Sequence, residues 1–272
     1  MIMGLAGPGI LDKWTSVGAY FRRIRATMPG HRPAGLSDQT YRDIVAYLLQ
    51  ANGVPAGPQD LPDDVQHLDA LPILEPGFKP LSNGRDFDGL RFLIGEGCTP
   101  QPEGCGSIRP EPTFSIKNGV INTVGYPHGF MYTAKKYHEF DLRFEYRMTP
   151  DPNVADGDIY WGNSGYLLFI EELAVFPRML EIQAFDVIQL RPLPIGGTAT
   201  YTYDREAMQR AHRPIGQWSD VRIESRNGQI RATLNGILVS VVSKHDYVAP
   251  GHIGFQSENA NISWRNLRIK EY

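Results

Sequence analysis

The feature that most constrains this chain is a two-residue alternation of apolar and polar side chains that runs through its C-terminal two thirds. The stretch 140–148, FDLRFEYRM, alternates apolar with charged residues. Because successive side chains of a β-strand point to opposite faces, this period predicts strands with one buried face. The dipeptides Asn227-Gly228 and Asn235-Gly236 separate further alternating runs. Such dipeptides are the strongest short-range signal for a tight β-hairpin.

The alternation recurs often enough to define a fold class. LEIQAFDVI, VRIESRNGQIRATLNGILVSVV and HIGFQSENANISWRNLRIKEY repeat it, and turn residues follow at intervals of roughly 8–12 residues. About a dozen short strands with this spacing are typical of a β-sandwich or jelly roll, in which two antiparallel sheets pack face to face. We therefore predict a mainly β protein.

The first part of the chain has a helical period instead. In LSDQTYRDIVAYLLQANG, apolar residues recur along one helix face and Ser37 precedes them as a natural N-cap. A second amphipathic pattern predicts an earlier helix over 14–25. Residues 54–80 show no period. The predicted organisation is a helical segment over 1–63, a linker over 64–76 and a β-sandwich over 77–272.

Charge and hydropathy exclude two broad classes. The net charge is −3 and the isoelectric point is about 6.2, which argues against a nucleic-acid-binding protein. Apolar runs such as 166–170 are far shorter than the roughly 18 residues of a membrane span. The first residues, MIMGLAGPGILDKW, do not read as a signal peptide. We expect the chain as written to be cytosolic or to lack its natural beginning.

The helical segment resembles part of a known family. ATMPGHRPAGLSDQTYRDIVAYLLQANGVPAG is similar to the C-terminal half of a class I c-type cytochrome, over about residues 12–57. The resemblance implies that Met28 stands where that family has an axial haem ligand. Covalent attachment also needs Cys-x-x-Cys-His, which this chain lacks, and a thioether alone does not hold haem.

Two interpretations of this segment remain open. The chain is a shortened form of a longer periplasmic or secreted cytochrome fusion, with haem bound only if an upstream Cys-x-x-Cys-His exists. Alternatively the segment is a vestige that packs as a helical hairpin, with Met28 an ordinary loop methionine. Electron transfer through this segment is the function that the first interpretation would allow.

Two polar loops leave further alternatives open. Cys98 and Cys105 are either a small disulfide, if the compartment is oxidising, or two free thiols. The segment DPNVADGD at 151–158 is either a site for a divalent cation or a solvated acidic loop, and its spacing does not match an EF-hand. We assign no metal site from the sequence.

Eight motifs in order connect the β region to a second family. They are FKPLSNGRDFDGLRF, FSIKNGVINTVG, GFMYTAKKYHEFDLRFEYR, GNSGYLLF, LEIQAFD, HRPIGQWSDVRIE, ATLNGILV and GHIGFQSENANISWRNLRIKE. Together they resemble the 3-keto-disaccharide hydrolase domain family over about residues 76–272. The resemblance implies a concanavalin-like jelly roll that cleaves 3-keto glycosides, and a sugar 3-dehydrogenase as the partner that supplies the keto sugar.

Such a reaction defines the residues to look for. A ketone at C3 acidifies the C2 hydrogen, so a base can remove it, the aglycone can leave from C1, and water can add to the enone. A base, an acid and polar groups that hold the sugar are needed. The candidate catalytic residues are Glu181, Glu258, Asp186 and His128, and the candidate substrate-binding residues are Gln183, Gln256, Asn163, Arg143 and Trp161.

Strand alternation supports part of this selection. Glu181 and Gln183 share one strand face, and Gln256 and Glu258 share another. If these strands join one concave sheet, they form the polar floor of a sugar-binding cleft. The alternative is an ordinary solvated outer face. The second functional hypothesis is therefore a non-catalytic carbohydrate-binding module, since the same fold hosts both roles.

Overall fold

Two antiparallel sheets, packed face to face, make up most of the computed structural model. The structure describes residues 10–11, 14, 16–52, 54, 60–75, 77–95, 113–149, 162–174 and 176–272. In these ranges the strands are β1 Lys79–Pro80, β2 Leu90–Ile94, β3 Phe114–Lys117, β4 Val120–Thr123, β5 Gly129–Thr133, β6 Phe140–Met148, β7 Gly165–Ile170, β8 Met179–Gln183, β9 Pro192–Ile195, β10 Ala199–Tyr203, β11 Ser219–Arg226, β12 Gln229–Leu234, β13 Ile237–His245, β14 His252–Ser257 and β15 Ile262–Glu271. The helices are α1 Val17–Thr27, α2 Asp38–Ala51, α3 Val65–Ala70 and α4 Arg205–Ala211, with a 3-10 turn at Asp186–Ile188.

The strand order mixes neighbours from distant parts of the chain. Nine of the described strands form one sheet, in the order β10-β13-β12-β11-β6-β15-β4-β3 with β1 beside β15. The other six form a second sheet in the order β2-β5-β14-β7-β8-β9. This is a concanavalin-like jelly-roll sandwich, and the predicted mainly β fold is confirmed.

Aromatic side chains fill the space between the sheets. Phe144 of the nine-stranded sheet packs on Tyr166 and Phe255 of the six-stranded sheet, with ring centroids 4.5 Å and 5.4 Å apart. Trp264 packs on Phe255 from the same side as Phe144 and is fully buried. These edge-to-face contacts stabilise the sandwich beyond the area they bury.

The two predicted hairpin turns are confirmed. Asn227-Gly228 joins β11 to β12 and Asn235-Gly236 joins β12 to β13. All four residues have positive φ, with 52° and 70° in the first turn and 48° and 82° in the second. A two-residue hairpin turn of this type needs positive φ at both positions, which asparagine and glycine tolerate best.

The helical segment forms its own apolar cluster. Its α1 and α2 lie close to the predicted ranges, and the Ser37 hydroxyl caps α2 by accepting from the Thr40 amide at 3.1 Å. Met28 packs against this cluster. The predicted linker over 64–76 differs from the structure, because it contains α3, whose Leu68 is fully buried in the same cluster. A helix of six residues is too short to show a helical period in the sequence.

Glu75 links the helical segment to the β-sandwich. Its carboxylate accepts two hydrogen bonds from Arg268, at 2.9 Å and 3.1 Å, and one from Arg143 at 2.9 Å. Partial burial opposes ionisation of Glu75, but the hydrogen bonds and charges of the two arginines outweigh it and lower its pKa.

No helix in the described residues is long and apolar enough to cross a membrane.

This linkage makes Glu75→Gln a test of how the segment is held. The substitution leaves the buried Arg268 guanidinium without its counter-charge, so we expect the free energy of unfolding to fall by about 1–3 kcal/mol at neutral pH. Because the pKa of Glu75 lies below its usual value of 4.5, the stabilisation is present above that pH and disappears as the pH falls further. Urea unfolding across pH checks this. Glu206→Gln, whose carboxylate is 88% exposed, should have little effect; equal losses for both variants would contradict the role of Glu75.

Candidate active site

The candidate site lies on the face of the six-stranded sheet that points away from the core. Cross-strand partners share a face, so the register identifies its residues. Leu167 of β7 lies opposite both Gly254 of β14 and Glu181 of β8. Two residues along the strands, Gly165 lies opposite Gln183. We call this surface the outer face of the six-stranded sheet.

Glu181 and Gln256 approach each other above Gly165. A Cβ atom at position 165 would lie 2.4 Å from Glu181 Oε1 and 2.9 Å from Gln256 Oε1. A Cβ atom there would force the ends of these two side chains to shift, so glycine leaves room for the positions that they occupy. The close approach of backbone and side chains explains the glycine of the Asn163-Ser164-Gly165 motif.

Glu258 completes the cluster from the end of β14. Asn163 forms a backbone bridge with Glu258, and its Nδ2 donates a hydrogen bond to Glu258 Oε2 at 2.9 Å. His128, in the loop before β5, lies beside Glu258 with its Nε2 3.0 Å from Asn259 Oδ1. A shallow pocket lies beside this cluster. It is lined by His128, Gly129, Phe130, Leu167, Phe176, Met179, Gln256 and Glu258.

Three buried acceptor oxygens of the cluster have no hydrogen-bond partner among the described residues. They are Glu181 Oε1, Gln256 Oε1 and Asn163 Oδ1. Buried polar groups in folded proteins are nearly always paired, so a cluster of unpaired acceptors requires an explanation. A protonated Glu181 carboxyl would supply one donor within the cluster.

The two carboxyl groups have unusual acid–base properties. Burial, and then the nearby charge of Glu258, raise the pKa of Glu181 to about 7. Burial also raises the pKa of Glu258, against the opposing effect of His128. A carboxyl group that changes its protonation near neutral pH is suited to general acid–base catalysis.

The structure brings together most of the predicted site residues. Those that lie on or beside the outer face of the six-stranded sheet are Glu181, Gln183, Gln256, Glu258, Asn163 and His128. Sequence reasoning did not identify the apolar lining of the pocket, above all Phe176. This residue lies in a loop without a period, and only its 73% exposed side chain marks it in the structure.

Two predicted site residues lie elsewhere. Arg143 is on β6 of the nine-stranded sheet, where its guanidinium binds Asp141 and Glu75. Asp186 begins the 3-10 turn after β8 and pairs with His212 Nε2 at 2.8 Å, in a second pocket. The structure therefore does not bring Arg143 or Asp186 to the outer face of the six-stranded sheet, since alternation shows which side chains share a face but not which sheet the strand joins or where the chain turns next.

Some predictions fall on residues that the structure does not describe. Trp161, Cys98, Cys105 and the acidic segment 151–158 lie outside the described residues. Within the described ranges, no three His, Cys, Asp or Glu side chains come together as a metal site. A bound cation therefore stays an untested alternative.

Comparison with known proteins identifies the family. Residues 77–270 match the family model of the 3-keto-alpha-glucoside-1,2-lyase-like domain. The match covers well over half of the chain, and the chain belongs to this family. This match lends no support to the cytochrome resemblance of the N-terminal segment. Among curated proteins, none matches the chain.

Solved structures agree on the fold. Two proteins of Parabacteroides distasonis ATCC 8503, provisionally assigned as glycosyl hydrolases, are 18% and 19% identical, with TM-scores of 0.49 and 0.50. Each match covers 72% of this chain and 94% or 99% of the other. The carbohydrate-binding module CBM66 of Bacillus subtilis is 11% identical with a TM-score of 0.42, over 67% of this chain and 96% of that one. The match with a TM-score of 0.50, at 19% identity, shows the fold alone.

The raised pKa of Glu181 predicts a pH-dependent stability. The protonated carboxyl is favoured in the folded state, so the free energy of unfolding should fall as pH rises from the usual 4.5 through about 7. Glu181→Gln removes this loss, and we expect it to be more stable than the natural chain by about 1–3 kcal/mol near pH 8. The difference should vanish near pH 4, as measured by urea unfolding. A variant that is less stable at high pH would refute the burial of an uncompensated carboxylate.

Gly165→Ala tests the packing of the cluster. The added methyl group must displace Glu181 and Gln256, and overpacking of this kind costs about 1–3 kcal/mol. Thermal unfolding should show the loss, whereas Gly30→Ala, with no atom within 4 Å of its new Cβ, should change little. If Gly165→Ala were as stable as the natural chain, the close approach described here would be incorrect.

Proposed function

We propose that this chain cleaves 3-keto glycosides by elimination and hydration, with Glu181 as the base and Glu258 as the acid. The observation that carries the proposal is the pair of neighbouring carboxyl groups, the buried Glu181 beside Gly165 and the partly buried Glu258 held by Asn163. Family membership supports a carbohydrate substrate. The division of roles between the two carboxyl groups is our inference from their contacts.

The proposed reaction is balanced without a redox step. The Glu181 carboxylate removes the proton from C2, and the electron pair of the C–H bond forms an enolate with the C3 ketone. The enolate then re-forms the ketone, a C1–C2 double bond forms, and the C1–O bond breaks with its electron pair on the aglycone oxygen. That oxygen takes a proton from Glu258. In the hydration step Glu258 takes a proton from water as the water oxygen adds to C1, and Glu181 returns its proton to C2, so the products are a 3-keto sugar and an alcohol.

The environment of Glu181 suits the role of base. A carboxylate with a pKa of about 7 is a stronger base than an ordinary glutamate, and it is still ionised in part at neutral pH. Its Oε1 is buried and accepts no hydrogen bond among the described residues, so no neighbouring donor competes for this lone pair. The neighbouring Gln256 amide can donate to the ketone oxygen, where negative charge develops.

The environment of Glu258 suits the role of acid. Its raised pKa keeps a larger protonated fraction than a solvated glutamate has. Asn163 holds its Oε2 at 2.9 Å and fixes the carboxyl at the pocket wall. His128 lies beside it on the exposed rim of the pocket.

The substrate itself implies a preceding oxidation. A sugar carries a ketone at C3 only after an oxidising enzyme has acted, and we propose a sugar 3-dehydrogenase as its source. A periplasmic or secreted location likewise stays a prediction. The non-catalytic carbohydrate-binding module is the alternative that the following experiment distinguishes.

Two variants separate the proposed roles. With a 3-keto disaccharide in D2O, the natural chain should exchange the C2 hydrogen and release reducing sugar, with kcat/KM rising as pH passes about 7. Glu181→Gln should lose both by at least about 100-fold. Glu258→Gln should lose release but keep exchange at C2. NMR and a reducing-sugar assay measure these results.

The controls define what would reject the proposal. The same disaccharide without the ketone should not react, and Glu206→Gln should behave like the natural chain. Binding of the 3-keto disaccharide without release would favour the carbohydrate-binding module. Full activity of Glu181→Gln would remove this residue from the mechanism.

A further inference from the structure

Asn259 connects three segments of the chain at one edge of the candidate site. It follows Glu258 directly, and its backbone N–H donates to the Gly125 carbonyl at 2.7 Å. Glu258 and Asn259 both form backbone bridges with Asn163. The loop that leads to His128, the segment of Asn163 and the end of β14 therefore meet at this position.

Gly125 shows how closely the loop and the end of β14 approach. A Cβ atom at position 125 would lie 2.8 Å from the carbonyl carbon of Asn259 and 2.8 Å from the backbone nitrogen and oxygen of Ala260. Backbone atoms cannot move aside as the end of a side chain can, so glycine is needed here. The approach fixes the loop that leads to His128 against Asn259.

The backbone conformation of Asn259 determines where its side chain lies. Consecutive residues of a regular strand point to opposite faces, which would separate the side chains of Glu258 and Asn259. Asn259 instead has a φ of 67°, in the left-handed region that asparagine adopts more readily than most residues. This break in the alternation allows both side chains to lie beside His128.

The side chain of Asn259 orients the imidazole of His128. His128 is exposed, and its Nε2 lies 3.0 Å from the Asn259 amide oxygen. An amide oxygen can only accept, so Nε2 is the nitrogen that donates. The imidazole also contacts the Tyr126 ring edge-to-face, with the ring centroids 6.0 Å apart. Without the amide oxygen, the exposed imidazole would be free to adopt other rotamers.

His128 acts on Glu258 through its charge. Both side chains line the same pocket, and among the described residues that line it, His128 alone can carry a positive charge. Burial raises the pKa of Glu258, and His128 opposes this rise. Glu181, the other titratable group beside Glu258, has a charge of the same sign as Glu258. The imidazole therefore favours the ionised carboxylate of Glu258.

We propose that Asn259 is a positioning residue that holds the His128 imidazole beside Glu258, where the imidazole stabilises the carboxylate left when the aglycone departs. The inference rests on the proposed function, in which Glu258 is the acid. The proton passes from Glu258 to the aglycone oxygen, and no bond to His128 forms or breaks. The imidazole interacts only with the negative charge that remains, and Asn259 acts through the imidazole.

The first experiment measures Glu258 without substrate. Asn259→Gly tolerates the left-handed backbone and removes the amide oxygen. Carboxyl 13C NMR should show a higher pKa of Glu258 in this variant than in the natural chain, and likewise in His128→Gln. In the double variant, Asn259→Gly should add nothing to the effect of His128→Gln, since it acts through that residue. Asn227→Gly, at a φ of 52° in the β11–β12 turn, is the matched control and should leave the titration unchanged.

The second experiment measures the reaction with a 3-keto disaccharide in D2O. Asn259→Gly should lower kcat for sugar release about threefold or more, and leave KM and exchange at C2 nearly unchanged. In the His128→Gln background, the same substitution should have no further effect. The loss should be largest near pH 6 and fade toward pH 8, because histidine side chains lose their charge over about this range.

The outcomes separate this inference from the proposed function. An unchanged titration of Glu258 in Asn259→Gly, or an additive rise of its pKa in the double variant, would overturn the role of Asn259. Equal losses of release and of exchange would overturn it too, since Asn259 would then support the whole cluster. If the natural chain does not cleave the disaccharide, the proposed chemistry fails, and the titration still decides whether Asn259 holds His128 beside Glu258.

Discussion

Packing between the two sheets is the constraint on which the site depends. Tyr166, Ile182 and Phe255 point into the core and are fully buried. Each is the neighbour in sequence of a site residue, namely Gly165, Glu181 and Gln256. Because side chains alternate along a strand, burying the first set forces the second set onto the outer face of the six-stranded sheet. A slip of one residue in any of these strands would exchange core and site.

The site opposes the stability of the fold that carries it. A carboxyl group that is only 3% exposed and has a second carboxyl group nearby is unfavourable when ionised. The large aromatic core of the sandwich can tolerate that cost. Proteins often accept such local destabilisation where chemistry requires an unusual pKa. The outer face of the nine-stranded sheet shows the opposite arrangement, since the Asp141 carboxylate accepts hydrogen bonds from both Arg222 and Arg143 there.

The comparison of these two faces explains which of the predicted residues the structure brings together. Glu181 and Gln256 looked no more promising in the sequence than Arg143, since all three alternate with apolar residues. The family resemblance favoured the first two, and strand pairing separated them from the third. Asp186 was misplaced because a single 3-10 turn redirects the chain toward His212. Phe176 was overlooked since one exposed residue in a loop forms no pattern.

Local features of this protein were determined by its sequence alone. The strand period, the Asn-Gly turns and the Ser37 cap depend on interactions within a few residues, so they can be recognised without the fold. The meeting of Glu181, Gly165, Gln256 and Glu258 was decided only by the tertiary structure. These residues lie up to 93 positions apart in the chain, and their proximity depends on which strands pair. That choice follows from the packing of the whole core, and no local pattern encodes it.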